Sequence, residues 1–213
     1  MKNTIQKIVQ ITTLALFILL IAVGKVQLWM GLLILGTLAA FIFGRFYCGW
    51  ICSINTVLMG VTWVKKKLKI KSLEMPEFLK RPIVGYALFA AFIGVFALTF
   101  VTGKRFPLLP ILSGTGILLT FLFPEELWHR CLCPYGTLMK VASLKTSSGM
   151  EIQEDLCNNC TACKRVCPAN AVVKGETKHQ IRKSDCLICF KCERSCKKNA
   201  IHYKIKNENL GAW

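Results

Sequence analysis

The chain has 213 residues, 54% of them hydrophobic and 18% charged, with a formal net charge of +17. This composition excludes a disordered or collagen-like chain, and the apolar residues fall in long blocks that a single soluble globule would not carry. The basic excess concentrates before residue 150, where 16 Lys and Arg face 4 Asp and Glu, against 12 and 7 in the remainder. Beside apolar blocks this is the pattern of the positive-inside rule, and it does not point to a nucleic acid partner.

Four apolar stretches come first, roughly Ile8–Gly24, Val26–Gly44, Pro82–Gly103 and Phe106–Phe123, none holding an Asp, Glu, Lys or Arg. Each has about the length that crosses ~30 Å of hydrocarbon as a helix. Lys25 alone separates the first two, and Lys104-Arg105 separate the last two, so the expected arrangement is two tight hairpins. The first stretch, preceded by Lys2 and Lys7 and closed by Ala22-Val23-Gly24, also has the layout of a signal peptide, but the immediate second stretch fits a hairpin better. The loop between the hairpins carries Arg45, Lys65, Lys66, Lys67, Lys69, Lys71, Lys80 and Arg81, which places it, and with it both termini, in the cytoplasm. Trp29, Trp50 and Trp128 fall near span ends, where interfacial anchors belong, and Trp63 precedes the Lys run as a membrane-surface residue would.

Each hairpin is followed by a short cysteine segment: FYCGWICSINTVLM after the first and LWHRCLCPYGTLMK after the second. Aligning Cys52 with Cys133 gives an offset of 81 residues that also carries Val26–Gly44 onto Pro107–Glu125, which reads as an internal duplication. Cys48 and Cys52 would share a face if their segment is helical, whereas Cys131 and Cys133 call for an extended turn before Pro134. Three readings of these four cysteines stand side by side: small buried hydrophobes, a disulfide, or a further metal ion or cluster held by Cys48, Cys52, Cys131 and Cys133, with His129 as another ligand. In the alignment His129 is the counterpart of Cys48.

After a polar stretch at Lys145-Thr-Ser-Ser-Gly, read as a linker, the chain becomes cysteine-rich. Residues 157–168 read CNNCTACKRVCP and residues 186–196 read CLICFKCERSC, the Cys-x2-Cys-x2-Cys-x3-Cys run of bacterial two-cluster ferredoxins, present twice. Three thiolates at this spacing wrap three corners of one iron–sulfur cube, and the fourth reaches the other cube. The expectation is therefore two [4Fe-4S] clusters, one on Cys157, Cys160, Cys163 and Cys196, the second on Cys186, Cys189, Cys192 and Cys167. Zinc sites use paired cysteines with longer spacers. Pro168 follows the first run, but Lys197 follows the second. His179 and His202 read as surface residues.

CGWIC and CLCPYG after membrane hairpins, followed by two ferredoxin runs, make the chain resemble the membrane polyferredoxin family. That family includes iron–sulfur subunits of periplasmic nitrate-reductase electron chains and relatives of the nitrous-oxide-reductase regulator. The resemblance runs from the first span to about residue 202, and it implies a component of a respiratory or maturation electron chain. In that family each repeat shows Cys-x3-Cys-Pro. Here Ser53 stands in place of the first Pro, and His129 in place of the second repeat's first Cys.

The expected fold is thus an α-helical membrane protein with four transmembrane helices in two hairpin repeats (residues 1–145). A C-terminal α+β two-cluster ferredoxin-like module (146–205) and a tail (206–213) follow. The expected function is electron transfer with redox protein partners, from a multi-pass position in a bacterial plasma membrane. An oxidoreductase subunit taking quinol near His129, Tyr47 and Tyr135, and a redox sensor, are the rival readings.

Overall fold

A computed structural model of the chain describes residues 2–80, 82–102, 108–146 and 148–205; the expected tail and the Lys104-Arg105 turn lie outside these. In chain order the helices are α1 (Lys2–Ala22), α2 (Leu28–Phe43), α3 (Phe46–Trp50), α4 (Ser53–Lys67), α5 (Pro82–Thr102), α6 (Leu108–Leu122), the one-turn α7 (Glu125–Leu127), α8 (Pro134–Ala142), α9 (Ala162–Val166) and α10 (Lys191–Ser195). The strands are β1 (Gly149–Ile152), β2 (Val172–Lys174), β3 (His179–Ile181) and β4 (Ile201–Lys204). A π-helical turn, Trp128–Leu132, joins α7 to α8.

Contacts divide the chain into two units, Met1–Leu32 with Ile51–Leu138, and Leu33–Trp50 with Met139–Trp213. The division follows different lines from the composition. The stretch read as a linker is packed, with Thr146 and Ser148 buried and Thr146 Oγ1 donating to the Ile42 carbonyl at 3.0 Å.

In the first unit α4 packs on α6 and α1, and α5 packs on the π-helical turn. Outward faces are apolar: Ile8, Ile11, Ile18 and Leu19 on α1, Ile83 and Leu98 on α5, and Ile111 and Leu118 on α6 are exposed. Contiguous apolar surface of this kind belongs against lipid or another protein. One helix, Asn3–Ala22, is long and apolar enough to cross a membrane; Leu28–Phe43, Ile83–Thr99 and Leu109–Leu122 are shorter apolar segments. The 16 residues of α2 rise about 24 Å, less than the ~30 Å core, because Gly44 turns left-handed (φ +74) and stops the helix.

The tryptophans depart from the sequence reading. Trp29 and Trp128 are 3% and 2% exposed, and Trp29 packs edge-on against Phe17 at 5.0 Å. They are core residues, because the helices close over them. Trp63 is exposed, with Lys67 Nζ 5.3 Å above its ring. Lys65, counted in the exposed basic run, is instead buried. Its Nζ donates to the Thr120 carbonyl at 2.9 Å, the Phe123 carbonyl at 3.2 Å and Ser72 Oγ at 2.8 Å, satisfying the carbonyls that α6 leaves open at its end.

In the second unit β1 pairs antiparallel with β4 (Met150 opposite Tyr203) and β2 with β3 (Val172 opposite Ile181). Met150, Ala171, Val172, Ile188 and Ile201 form a small buried core around the cysteine runs. A module this small buries little apolar surface, so a metal bound by its cysteines would supply much of its stability. Onto it pack the end of α2 and all of α3. Trp50 Nε1 donates to the Ile188 carbonyl at 3.1 Å, its ring stacks on Phe46 at 4.9 Å, and Tyr203 donates to the Phe43 carbonyl at 2.9 Å. Gly49 is required here: a β-carbon on it would overlap the Leu187 carbonyl oxygen. Arg45 is 1% exposed, its guanidinium 3.5 Å from the Asp185 carbonyl. The Asp185 carboxylate is itself held by Lys140 at 2.7 Å and Arg182 at 3.1 Å.

Candidate metal centre

The two cysteine runs fold into matching loops, every corresponding position 29 residues apart. Asn159, Thr161 and Asn170 have φ of 57°, 60° and 47°; Ile188, Phe190 and Asn199 have 52°, 56° and 51°. Left-handed backbone costs roughly 1–2 kcal/mol per residue for most side chains, so its presence twice, even at Thr and Ile, marks loops shaped for a ligand. Such turns aim successive N–H groups into a concave space that favours an anion. After each run an alanine N–H donates to the run's last sulfur: Ala171 to Cys167 Sγ at 3.2 Å and Ala200 to Cys196 Sγ at 3.4 Å.

Two small cavities result. Cys157, Cys160, Cys163 and Cys196 line one, together with His179 and Lys198. Cys186, Cys189, Cys192 and Cys167 line the other, otherwise walled by Met150, Pro168, Ala171, Val172, Leu187 and Phe190. Each run's fourth cysteine therefore stands with the other run's first three. Four thiols and inward N–H groups in each cavity fit a [4Fe-4S] cube, whose sulfide and thiolate charge the N–H groups would solvate. Among the described residues no three His, Cys, Asp or Glu close on one metal ion. A cube spreads its four thiolates wider than the ~2.3 Å bonds of a single zinc allow.

Burial pushes the Cys192 thiol up to about 12, with Cys189 and Cys167 adding to it, and raises Cys186, Cys189 and Cys163 for the same first reason. These groups are neutral thiols at pH 7 until a metal takes the proton's place. His179 is not at the surface as its sequence context suggested. It is 9% exposed, Nδ1 lying 2.9 Å from Asn159 Oδ1, which also accepts from its backbone N–H. His202 is exposed.

The membrane-edge cysteines fall in both units. In the first, Cys52 (φ −63, ψ 110) and Cys133 (φ −75, ψ 110) are extended residues just before α4 and α8. Cys131 lies inside the π-helical turn, not in an extended turn, and its carbonyl faces Gly85 of α5. Gly136 N–H donates to Cys133 Sγ at 3.3 Å. Burial raises the Tyr135 phenol, and Cys133 and Cys52 add to the rise. His129 is buried, its Nε2 3.3 Å from Glu125 Oε1, which is a buried pair with no signal in the sequence beyond the i, i+4 spacing. In the second unit the Cys48 thiol is buried 3.4 Å from the Met139 sulfur. Cys48 and Cys52 do not share one helix face, because α3 ends at Trp50 and Cys52 is extended.

One 4Fe-4S binding domain family matches the chain twice, over residues 26–71 and 105–150, and a second 4Fe-4S binding domain matches residues 150–173. The first two matches contain Cys48 and Cys52, then Cys131 and Cys133, and no other cysteine. The methylamine utilization ferredoxin-type protein MauN of Methylorubrum extorquens is 28% identical over 145 residues, 61% of this chain and 50% of that protein. MauN of Paracoccus denitrificans is 28% identical over 68% of this chain and 57% of its own. The ferredoxin-type protein NapH of Haemophilus influenzae is 28% identical over 61% and 50%. The chain spans about half the length of these relatives. No solved structure matches it. The twin cysteine loops and these matches support a polyferredoxin-like family of ferredoxin-type 4Fe-4S proteins for the chain, which resembles NapH.

Proposed function

We propose that the chain is a membrane-anchored electron carrier with two [4Fe-4S] clusters. One is held by Cys157, Cys160, Cys163 and Cys196, the other by Cys186, Cys189, Cys192 and Cys167. The observation that carries this reading is the pair of four-cysteine cavities, each with left-handed loops and a sulfur-directed N–H. Bound clusters would supply one-electron transfer. The protein's own contribution is to hold the thiolates, shield one cube with apolar side chains and leave the other near solvent.

The exposed apolar faces of α1, α2, α5 and α6 support anchoring through four helices, and the basic run between α4 and α5 supports cytoplasmic termini at a bacterial plasma membrane. Redox protein partners in an electron-transfer chain follow from the ferredoxin-type relatives.

The double 4Fe-4S match over segments whose only cysteines are the membrane-edge ones supports a second reading, a further cofactor. Within the first unit Cys52, Cys131 and Cys133, with His129, are the side chains available to it. Iron and acid-labile sulfide per chain, with EPR before and after dithionite on anaerobically purified protein, test both readings. Two clusters give about eight of each and a third about twelve. Fewer than about eight, with no EPR signal on reduction, overturns the proposal.

A further inference from the structure

The two cysteine cavities differ in how they meet solvent, and the difference assigns them different work. In the second run Cys186, Leu187, Ile188 and Phe190 are buried, and α3 covers Ile188 through Trp50. In the first run Asn158, Asn159, Cys160 and Thr161 are all exposed, beside Leu156 at 49% exposure. The charges around that opening are mostly basic. Lys164 and Arg165 follow Cys163, and Lys197 and Lys198 follow Cys196; all four are exposed, and both cysteines line the same cavity. Lys178 adds its ammonium at the Cys157 carbonyl, 2.6 Å away. Opposing them are Glu154, Asp155 and Glu176, of which Glu154 accepts from Thr177 at 3.4 Å.

We infer that the Cys157–Cys160–Cys163–Cys196 cluster is the electron port of this protein, and that its rim of Lys164, Arg165, Lys197 and Lys198 docks the acidic face of a redox protein. This rests on the two-cluster reading above. Tunnelling falls off steeply with distance, so the cube behind the exposed Cys160 loop is the one a partner's redox centre can approach. The buried cube relays electrons within the chain. Opposite charge across such a rim raises encounter rates by about 10–10³-fold and makes them fall with salt. The step itself makes and breaks no bond: a reduced partner loses one electron and the port cluster gains it, with no proton moved.

The test uses the full chain with its clusters assembled, mixed in a stopped-flow with a dithionite-reduced acidic [2Fe-2S] ferredoxin as the probe. Iron and EPR are recorded first, so a chain lacking two clusters is recognised as a failure of the parent reading before any probe is added. Lys164→Glu/Arg165→Glu and Lys197→Glu/Lys198→Glu should each slow reduction about tenfold at low salt. Lys69→Glu/Lys71→Glu, the same charge change elsewhere, should stay within about twofold. If a rim variant fails to assemble its clusters, the wild-type salt dependence decides. The rate should fall steeply with salt for the acidic ferredoxin, and not for basic cytochrome c as oxidant of the reduced chain. Equal rates in rim and control variants, or no salt dependence, overturn the port. So does loss of the reaction in nanodiscs of anionic lipid compared with zwitterionic lipid, which would mean that the rim faces the bilayer.

Discussion

Cys52 and Cys133 stand 81 residues apart in the same local setting. Each is extended, with ψ of 110° and φ of −63° and −75°, and each begins a helix. Each carbonyl accepts from the threonine four residues on, through Thr56 N–H and Oγ1 at 3.2 and 3.2 Å and Thr137 N–H and Oγ1 at 3.0 and 3.3 Å. At these two positions the matching motifs share their backbone conformation and hydrogen bonding. Ser53 and Pro134 occupy the same first helical position, so loss of the proline at 53 leaves the turn intact.

The crossed ligand sets are tested by Cys167→Ser. It should cost the cluster of Cys186, Cys189 and Cys192 and lower iron from about eight to about four per chain. Mössbauer and EPR spectra of the variant read which cluster remains. Loss confined to the cluster of Cys157, Cys160 and Cys163 would refute the assignment.

Gly49→Ala should disturb the second run at a distance in sequence. The added methyl must displace the Leu187–Ile188 backbone, at a cost of about 1–3 kcal/mol, like other overpacking. The thermal midpoint for bleaching of the cluster absorbance should drop, and the EPR signal of the buried cluster should shift while the port cluster's does not.

The first loop carries strain that can be relieved without loss of packing. Thr161 is exposed with φ +60. Thr161→Gly removes the left-handed penalty but loosens the unfolded chain, so a net gain of up to about 1 kcal/mol is expected. Ile188→Gly relieves the same strain but gives up a side chain only 2% exposed, and should destabilise. The same bleaching midpoints compare the two.

Lys183 donates to Glu151 Oε1 at 2.5 Å and holds that carboxylate below its usual range, with Lys204 at 3.7 Å assisting. Because the folded value is the lower one, the contribution is complete above the ordinary carboxylate range and is lost as pH falls through the folded value. Glu151→Gln should therefore reduce the bleaching midpoint at pH 7 and narrow its difference from wild type toward pH 4.

Topology is tested by alkaline-phosphatase fusions after residues 25, 72, 104 and 150, which should be active only at 25 and 104. Activity at 72 would reverse the orientation.

The sequence was most readable where the chemistry is local. The cysteine spacing pointed to two four-thiol sets, because three thiols of each lie within seven residues and each run ends in a fourth cysteine that reaches the other set. It was least readable where distant segments meet. Nothing in CGWIC announces that its glycine and tryptophan serve Leu187 and Ile188. His179 is buried because Asn159, 20 residues earlier, folds back onto it. Lys65 belongs to a charge run in sequence, and only the open carbonyls at the end of α6 distinguish it from Lys66 and Lys67.

The packing of α3 also bears on biogenesis. Arg45 and Trp50 reach Asp185 and Ile188, partners made 140 and 138 residues later. At about 5–20 residues per second the ribosome needs on the order of ten seconds to supply them. Throughout that interval a buried arginine and an indole N–H lack their final acceptors, so the nascent chain must shelter the end of α2 by other means. Maturation thus runs against the order of synthesis: the segment following the second apolar stretch is among the first to emerge and among the last to settle. A nascent chain stalled before Asp185 should expose Cys48 to a thiol reagent that the finished protein excludes.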